Sequence, residues 1–436
     1  MRHVNLDRVR GLKALRRSSS SMSAPASPEW QRPLVNDYRE PHTHAAAVRN
    51  EPDRLGQILG ATAKTNQYGE HLSLHCWCGE PARYLPNIDA LRLLMPSAPE
   101  RIADPERWLF LDTETTGLAG GSGTYAFLVG IAWWEGGGLE IEQFFMREYS
   151  EEHSLLFALA ERIAERPVLV TFNGKSFDWP LLETRYRMSR KLPPPIPRAH
   201  LDFLHPARNL WRLRLGSVRL SELERHVLGW ERGVDVLSGL IPQIYFDYLR
   251  GGPPDRLVPV FHHNQMDLRG LAALSSRILS LFSDAENLGQ DGLELFGVSR
   301  ICEKRGENTR ARKLYEKSIA SVLPSETDRA ARRSLARLAK REGDFNLACD
   351  LWEGALGNSR HGYEAYEQLA IYYEHNARNP ERARQVVRRA IDELRRANQV
   401  GDIASSAYRE IKARFDHRMA RLERKAGQTQ LEAFDA

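Results

Sequence analysis

The clearest pattern in the chain lies at Trp108–Leu118, with the sequence WLFLDTETTGL. Its first four residues are apolar and β-prone, which predicts a buried strand. Asp112 and Glu114 follow, two residues apart, and because side chains alternate along a strand both carboxylates are expected on one face. Two adjacent carboxylates repel each other, which favours a compensating divalent cation. A pair of this kind more often marks a solvated strand end, so a metal site is indicated only if the surrounding elements supply further ligands.

Regular elements follow this stretch in an informative order. A Gly-rich turn leads to the strand TYAFLVGIAWWE, and a GGG turn leads to the strand LEIEQFFMREY; such short links favour an antiparallel meander. The helix SEEHSLLFALAERIAE, the strand PVLVTFNG and the helix KSFDWPLLETRYRM come next. We therefore predict an α/β ribonuclease H-like domain, with a mixed central sheet of three antiparallel strands plus parallel strands, flanked by helices.

Further candidate ligands lie at the ends of later elements. Asp178 follows the strand LVTF at the start of a helix, from which its side chain can reach the end of the first strand. Asp267 lies in HHNQMDLRGLAALSSRIL, an apolar helix. His263 precedes Asp267 by four residues and shares its helical face, whereas His262 precedes it by five and is less well aligned. Each residue alone has an ordinary structural role open to it; together, in this order, they indicate a metal-dependent nuclease.

The motifs DTET, NGKSFD and HNQMD resemble those of the DEDD superfamily of 3′→5′ exonucleases. More closely, the chain is similar to bacterial ribonuclease H-like proteins of this superfamily that carry C-terminal tetratricopeptide repeats. The resemblance implies four catalytic carboxylates that hold two Mg²⁺ or Mn²⁺ ions, namely Asp112, Glu114, Asp178 and Asp267. It implies that the general base is His263 if the spacing follows a YxxxD pattern, or His262 if it follows an HxxxxD pattern.

This residue set suits phosphodiester hydrolysis. Two metal ions about 3.5–4 Å apart serve both the attacking and the leaving oxygen. A histidine that titrates near neutrality suits deprotonation of the attacking water. The predicted function is a metal-dependent 3′→5′ exonuclease that uses a two-metal-ion mechanism. The alternatives are an endonucleolytic or RNA-processing nuclease with the same metal site, and a repeat scaffold that binds nucleic acid without cutting it.

A further set of residues is predicted to contact nucleic acid, which we expect to be single-stranded. The set comprises Thr115, Thr116, Gly117, Leu118, Asn173, Lys175, Arg212 and Arg214. The first four rest on the resemblance, whereas Asn173 and Lys175 offer an amide and an ammonium group to a phosphate, with loop capping as the alternative. Arg212 and Arg214 follow Trp211 closely, and this mixture of basic and aromatic side chains suits a channel for a single strand. The alternative is a helix pair with Trp211 in the core. Asp202 is a further acid to which we assign no metal.

Composition and charge indicate which class of protein this is. The chain has 436 residues, 42% hydrophobic and 27% charged, which is typical of a soluble protein with two or three domains. No apolar run approaches the ~20 residues of a membrane span, and the N-terminus lacks the pattern of a secretory signal, so we expect a cytoplasmic protein with no membrane contact. Residues 301–436 carry 27 Lys and Arg against 21 Asp and Glu, so the last third holds the basic surplus.

The predicted domain organisation has five parts. They are a disordered basic segment (1–50), a small lead-in subdomain (51–104), the ribonuclease H-like exonuclease domain (105–283), TPR-like helical repeats (284–400), and a C-terminal helix with a flexible tail (401–436). The final part ends in a basic helix and a short apolar peptide.

The region after the predicted catalytic domain carries an internal repeat. Ala311, Ala348 and Ala383 recur at a spacing near 34 residues, and a large apolar residue follows each by four. This pattern resembles tetratricopeptide repeats, which predicts an all-α domain that binds a protein partner. The tail peptide Gln430–Phe434, QLEAF, resembles the QL-x-L-F peptide that binds the bacterial sliding clamp, which makes the clamp a candidate partner.

Overall fold

The structure is a computed structural model that describes residues 54–79, 81, 85–117, 123–289, 291–356 and 363–434. Within residues 426–434 only the backbone is described. The predicted disordered segment 1–50 and the predicted contact residue Leu118 lie outside the described residues.

A mixed sheet forms the centre of the fold, and it confirms the predicted fold class. In the described residues it has seven strands in the order β1-β2-β5-β4-β3-β6-β7. The strands are β1 (Thr62–Asn66), β2 (Gly69–Cys78), β3 (Trp108–Thr115), β4 (Ala126–Glu135), β5 (Gly138–Phe145), β6 (Val168–Thr171) and β7 (Ala199–Asp202). β3, β4 and β5 form the antiparallel meander, and β6 and β7 run parallel to β3.

Strand β3 lies between β4 and β6, which explains its apolar first half. Residues Trp108 to Leu111 are all buried, because both faces of a central strand are covered. The second half of β3 emerges at the edge where the parallel strands end. Its carboxylates therefore stand at the carboxyl end of the sheet, where open α/β sheets bind their ligands.

Helices cover both faces of the sheet and continue beyond it. The first group comprises α1 (Arg54–Leu59), α2 (Ile88–Leu94), α3 (Glu152–Glu165), α4 (Asp178–Ser189), α5 (Leu204–Leu215), α6 (Leu220–Leu223), α7 (Ile241–Leu249) and α8 (Val258–Leu288). Helix α8 is the longest of them, and it packs against β3, β4 and β5. Its backbone leaves the helical conformation at Asp284, so the chain enters the C-terminal region through a kink.

The C-terminal region is helical, as predicted. Its helices are α9 (Gly292–Arg305), α10 (Asn308–Ile319), α11 (Ser325–Arg341), α12 (Phe345–Gly354), α13 (Tyr363–His375), α14 (Pro380–Gln399) and α15 (Ser405–Phe434). Ala311, Ala348 and Ala383 are fully buried, on α10, α12 and α14. Helix α15 continues through Gln430–Phe434, where the sequence predicts a flexible tail.

One hydrophobic cluster joins the lead-in helix α2 to one face of the sheet and to helices α8 to α11. The guanidinium of Arg305, at the end of α9, donates hydrogen bonds of 2.9 Å to the carbonyl oxygens of Leu93 and Leu94. The same hydrophobic core therefore includes residues before, within and after the predicted domain 105–283. None of the described helices combines the length and the apolarity needed to cross a bilayer.

Candidate active site

Asp112 and Glu114 lie near the end of β3, where the sheet is irregular. Asp112 stands opposite Gly130 of β4, and the β3–β4 register shifts immediately after Glu114. The side chain of Glu114 retains only 13% of its exposure. Strand alternation thus places both carboxylates where the sequence pattern predicts them, at the edge of the sheet.

Asp178 begins helix α4 and reaches back to β3. The hydroxyl of Thr113, which lies between the two β3 acids in sequence, donates a hydrogen bond of 2.6 Å to Asp178 Oδ1. Burial raises the pKa of Asp178 to about 6, although the hydrogen bond from Thr113 opposes the rise. This carboxyl therefore holds a proton more readily than an exposed aspartate does.

Helix α8 brings Asp267 and His263 to the same place. His263 Nε2 lies 3.6 Å from Asp267 Oδ2 and 4.0 Å from Glu114 Oε1, as the four-residue spacing on one helical face requires. His262 points to solvent. Of the two histidines that the sequence offers, only His263 lies against the carboxylates.

Asp235, from the loop before α7, orients His263. Its Oδ1 atom lies 2.8 Å from His263 Nδ1. A carboxylate at that position accepts the Nδ1 proton, so the neutral ring presents an unprotonated Nε2 toward Glu114 and Asp267. Burial opposes ionisation of Asp235, but the hydrogen bond from His263 and the nearby Arg232 lower its pKa overall.

A buried amide network positions Asp112. Asn264 Nδ2 donates a 2.8 Å hydrogen bond to Asp112 Oδ2, and Asn264 Oδ1 accepts one of 2.8 Å from Gln143 Nε2. Asn264 and Gln143 have no solvent exposure. A Cβ atom on Gly130 would lie 2.0 Å from Asn264 Oδ1, so the amide can cross β4 to reach Asp112 only where glycine stands.

Arg232 neutralises several of these acids. Its guanidinium donates to Asp267 and, through two bonds, to the fully buried Glu224; it also lies 3.3 Å from Asp235 Oδ2. Burial disfavours the charged form of Arg232, yet Glu224 and Asp267 hold its pKa above the ordinary range. Burial raises the pKa of Glu224, although Arg232 lowers it. The arginine thus carries a fixed positive charge beside the carboxylates.

The negative charges of the clustered carboxylates favour binding of a cation. Burial first, and then the negative charges of Asp267 and Asp178, raise the pKa values of Asp112 and Glu114 well above their ordinary range. Hard carboxylate oxygens in such a cluster are the donor type that Mg²⁺ and Mn²⁺ prefer. Within the described residues no three acidic, histidine or cysteine side chains stand ready to close on one ion.

Other predicted contact residues have mainly local partners. Thr115 donates through Oγ1 to the carbonyl of Gly117, and Thr116 Oγ1 accepts from the Tyr125 amide. The backbone amides of Asn173 and Lys175 donate to the carboxylate of Asp202, at 2.9 and 3.0 Å. Asp202 therefore caps the loop after β6, and the side chain of Lys175 is exposed.

The basic and aromatic segment on α5 is a packing surface. Trp211 is fully buried, and its indole donates to Glu294 on α9 at 2.7 Å. The sequence predicts that Arg214 contacts nucleic acid. In the structure its guanidinium donates to Asp291 at 2.6 Å, at the contact between α5 and α9. Arg212 is exposed. The alternative with Trp211 in the core describes this segment.

A sequence profile of the ribonuclease H superfamily matches residues 109–279, from β3 through most of α8. The uncharacterized protein YprB of Bacillus subtilis (strain 168) is 31% identical to the chain over 319 residues, which cover 72% of this chain and 74% of YprB. The chain belongs to the ribonuclease H superfamily. All four predicted carboxylates lie inside the matched span, so the ribonuclease H-like domain contains the whole cluster.

Three residues that shape the ribonuclease H-like site were missed by the sequence reasoning, namely Arg232, Asp235 and Asn264. Asn264 precedes Asp267 by three residues, and that helical spacing could have identified it. Arg232 and Asp235 lie in a loop whose path depends on tertiary packing, and no periodic signal marks them. The acidic cluster thus lies on predicted elements, as does Asn264, whereas Arg232 and Asp235 come from a loop that the sequence does not mark.

Proposed function

We propose that this protein is a metal-dependent 3′→5′ exonuclease of the DEDD type that acts on single-stranded nucleic acid. The observation that carries the proposal is the cluster of Asp112, Glu114, Asp178 and Asp267 beside His263, in which the charges of Asp267 and Asp178 add to burial in raising the pKa values of Asp112 and Glu114. Its place at the carboxyl end of β3 in a ribonuclease H-like domain supports a nuclease.

The four carboxylates would hold two Mg²⁺ or Mn²⁺ ions, which when bound supply charge stabilisation at the scissile phosphate. His263 would accept the proton of the attacking water through Nε2, because Asp235 holds the proton on Nδ1. Asn264 would keep Asp112 oriented during binding of an ion. Arg232 would limit the repulsion between Asp267 and its acidic neighbours.

The decisive experiment follows the products of 5′-labelled single strands of DNA and RNA in Mg²⁺ and in Mn²⁺. Asp112→Asn is the matched control, because it keeps the shape of the side chain and removes its charge. A ladder that shortens from the 3′ end, absent in the variant, is the expected result. Cleavage of a circular strand would instead indicate an endonuclease.

The same experiment tests the non-cutting alternative. A protein that binds both strands but leaves them intact in either metal would be a nucleic-acid scaffold, and the exonuclease proposal would fail. The preferred sugar follows from the comparison of DNA with RNA.

We further propose that the C-terminal helix pairs are TPR-like and bind a protein partner. The burial of Ala311, Ala348 and Ala383 at repeat spacing supports this, because small residues let paired helices approach closely. Co-purification of the full chain with partners, compared with a variant altered on the exposed face of these helices, tests it. Loss of the sliding clamp on removal of Gln430–Phe434 would identify one such partner.

A further inference from the structure

A cavity of about 510 Å³ opens beside Lys175, in the loop between β6 and α4 that leads to Asp178. Its walls come from the end of α2, from this loop, from the carboxyl end of β7 with the start of α5, and from α8 and α9. The carboxyl ends of parallel strands are where α/β sheets bind ligands, and the volume is typical of a small-molecule site. The first helix of the C-terminal region therefore completes a pocket on the catalytic domain.

Three cations line the cavity. Lys175, Lys304 and Arg305 contribute to its wall, and in the described part of the chain neither lysine forms an ion pair. Arg305 donates to two backbone carbonyls, which leave its charge uncompensated. Three positive charges around one cavity favour an anionic ligand.

Asp202, the acid in the wall, forms no ion pair with these cations in the described part of the chain. The carboxylate of Asp202 accepts hydrogen bonds from the backbone amides of Asn173, Lys175 and Leu204, so its oxygens are turned into the loop. His200, also in the wall, is held by Thr171 at 2.8 Å; burial and then the charge of Lys175 lower its pKa to about 4. The imidazole is neutral at physiological pH and offers a polar, uncharged surface.

The remaining wall is apolar. Met95, Phe282 and Ile301 line the side contributed by α2, α8 and α9. A ligand that fills the cavity should therefore combine an anionic group with a flat or apolar group. A phosphate joined to a nucleoside has that combination.

We infer that this cavity binds a nucleoside monophosphate unit, with its phosphate near Lys175 and Lys304 and its base against the apolar wall. The unit is either a nucleotide of the bound strand or a free nucleotide. The strand arm rests on the proposed nuclease function, because Lys175 lies in the same loop that leads into Asp178.

The first test measures binding without cleavage. A labelled single strand is titrated in EDTA against the full chain carrying Asp112→Asn, and fluorescence anisotropy reports the affinity. Adding Lys304→Glu should weaken binding about tenfold, whereas Lys313→Glu, the same charge change at an exposed lysine on the next helix, should weaken it less than about twofold. Both lysines are exposed, so equal melting temperatures are expected and would exclude misfolding.

The second test distinguishes the two sources of the ligand. Adenosine and cytidine 5′-monophosphate and inorganic phosphate are titrated calorimetrically into the wild type and into Lys304→Glu. Competition between a monophosphate and the strand, with both weakened by Lys304→Glu, assigns a strand subsite. Monophosphate binding that depends on Lys304 while strand affinity does not assigns a free-nucleotide site.

The inference is overturned if Lys304→Glu and Lys313→Glu have equal effects on the strand and no monophosphate binds. Both tests measure binding alone, so their results stand whether or not the protein cleaves nucleic acid. Failure of the nuclease proposal and failure of this one are therefore separable.

Discussion

Replacing Arg232 with methionine should destabilise the fold, and the loss should grow with pH. The guanidinium donates twice to Glu224, a carboxylate with no solvent exposure. Glu224 also lies so close to α8 that a Cβ on Gly270 would be 1.8 Å from its Oε1. Methionine keeps the apolar stem but removes the charge, so Glu224 must either stay ionised without a partner or bind a proton.

Protonation of Glu224 sets the upper bound on the part of this loss that its unpaired charge causes. From the ordinary pKa of 4.5 for Glu224, protonation costs about 4 kcal/mol at pH 7.5 and about 1.4 kcal/mol at pH 5.5. The first value agrees with the roughly 3–5 kcal/mol lost when one partner of a buried pair is removed. An acid whose pKa is raised by folding contributes stability below its unfolded pKa and loses it as pH rises. The variant should therefore be closest to the wild type at low pH.

Urea unfolding in EDTA, followed by tryptophan fluorescence at the two pH values, measures the loss. The double variant Glu224→Gln with Arg232→Met should recover much of the stability at pH 7.5, since position 224 then carries no charge that needs a partner. Arg187→Met, which breaks an exposed pair with Glu183, should leave the midpoint unchanged. An equal loss at both pH values, or no recovery in the double variant, would refute the assignment of the loss to Glu224.

Three further predictions concern the candidate site. Gly130→Ala should displace Asn264 and weaken Mn²⁺ binding about tenfold in calorimetry, as loss of a ligand's supporting hydrogen bond usually does. Mn²⁺ should bind more tightly at pH 7.5 than at pH 5.5, because the pKa of Asp178 is raised to about 6 and protons compete with the ion at the lower pH. His263→Ala should lower kcat on a single strand about a hundredfold, whereas His262→Ala should leave it unchanged.

Each of these has a matched control or a contrary outcome. Gly123→Ala, at a glycine whose added Cβ would meet no atom of the described residues within 4 Å, should bind Mn²⁺ as the wild type does. Mn²⁺ affinity that is flat between the two pH values would contradict the raised pKa of Asp178. Equal losses of kcat in the two histidine variants would contradict the orientation of His263.

The sequence predicted the parts of the site that follow from local periodicity. Alternation along β3 placed Asp112 and Glu114 together, and the helical period placed His263 beside Asp267. The choice between the two histidines required tertiary structure, because the neighbouring positions differ by about 100° around α8 and only packing decides which one faces the sheet.

The arginines show why the rest could not be predicted. Arg214 and Arg232 both belong to polar stretches, and nothing in their spacing separates a free cation from a paired one. Asp291 engages the first from 77 residues further along the chain, and Glu224 engages the second from 8 residues before it, a spacing that carries no periodic signal in a loop. A buried partner is a property of the folded chain, so charge counted along the sequence overstates the charge available for nucleic acid.

The continuous core from α2 through α8 to α11 has a mechanical consequence. Helix α9 packs on α5, and Arg305 at its end donates a hydrogen bond to the end of α2. The first C-terminal helix pair, α9 and α10, therefore has a fixed position relative to the sheet edge that carries the carboxylates. A molecule bound to this first pair would therefore be held at a fixed distance and orientation from the carboxylates. If the chain is the exonuclease proposed above, that fixed distance would set the length of strand between the anchored part of a bound assembly and the end that is shortened.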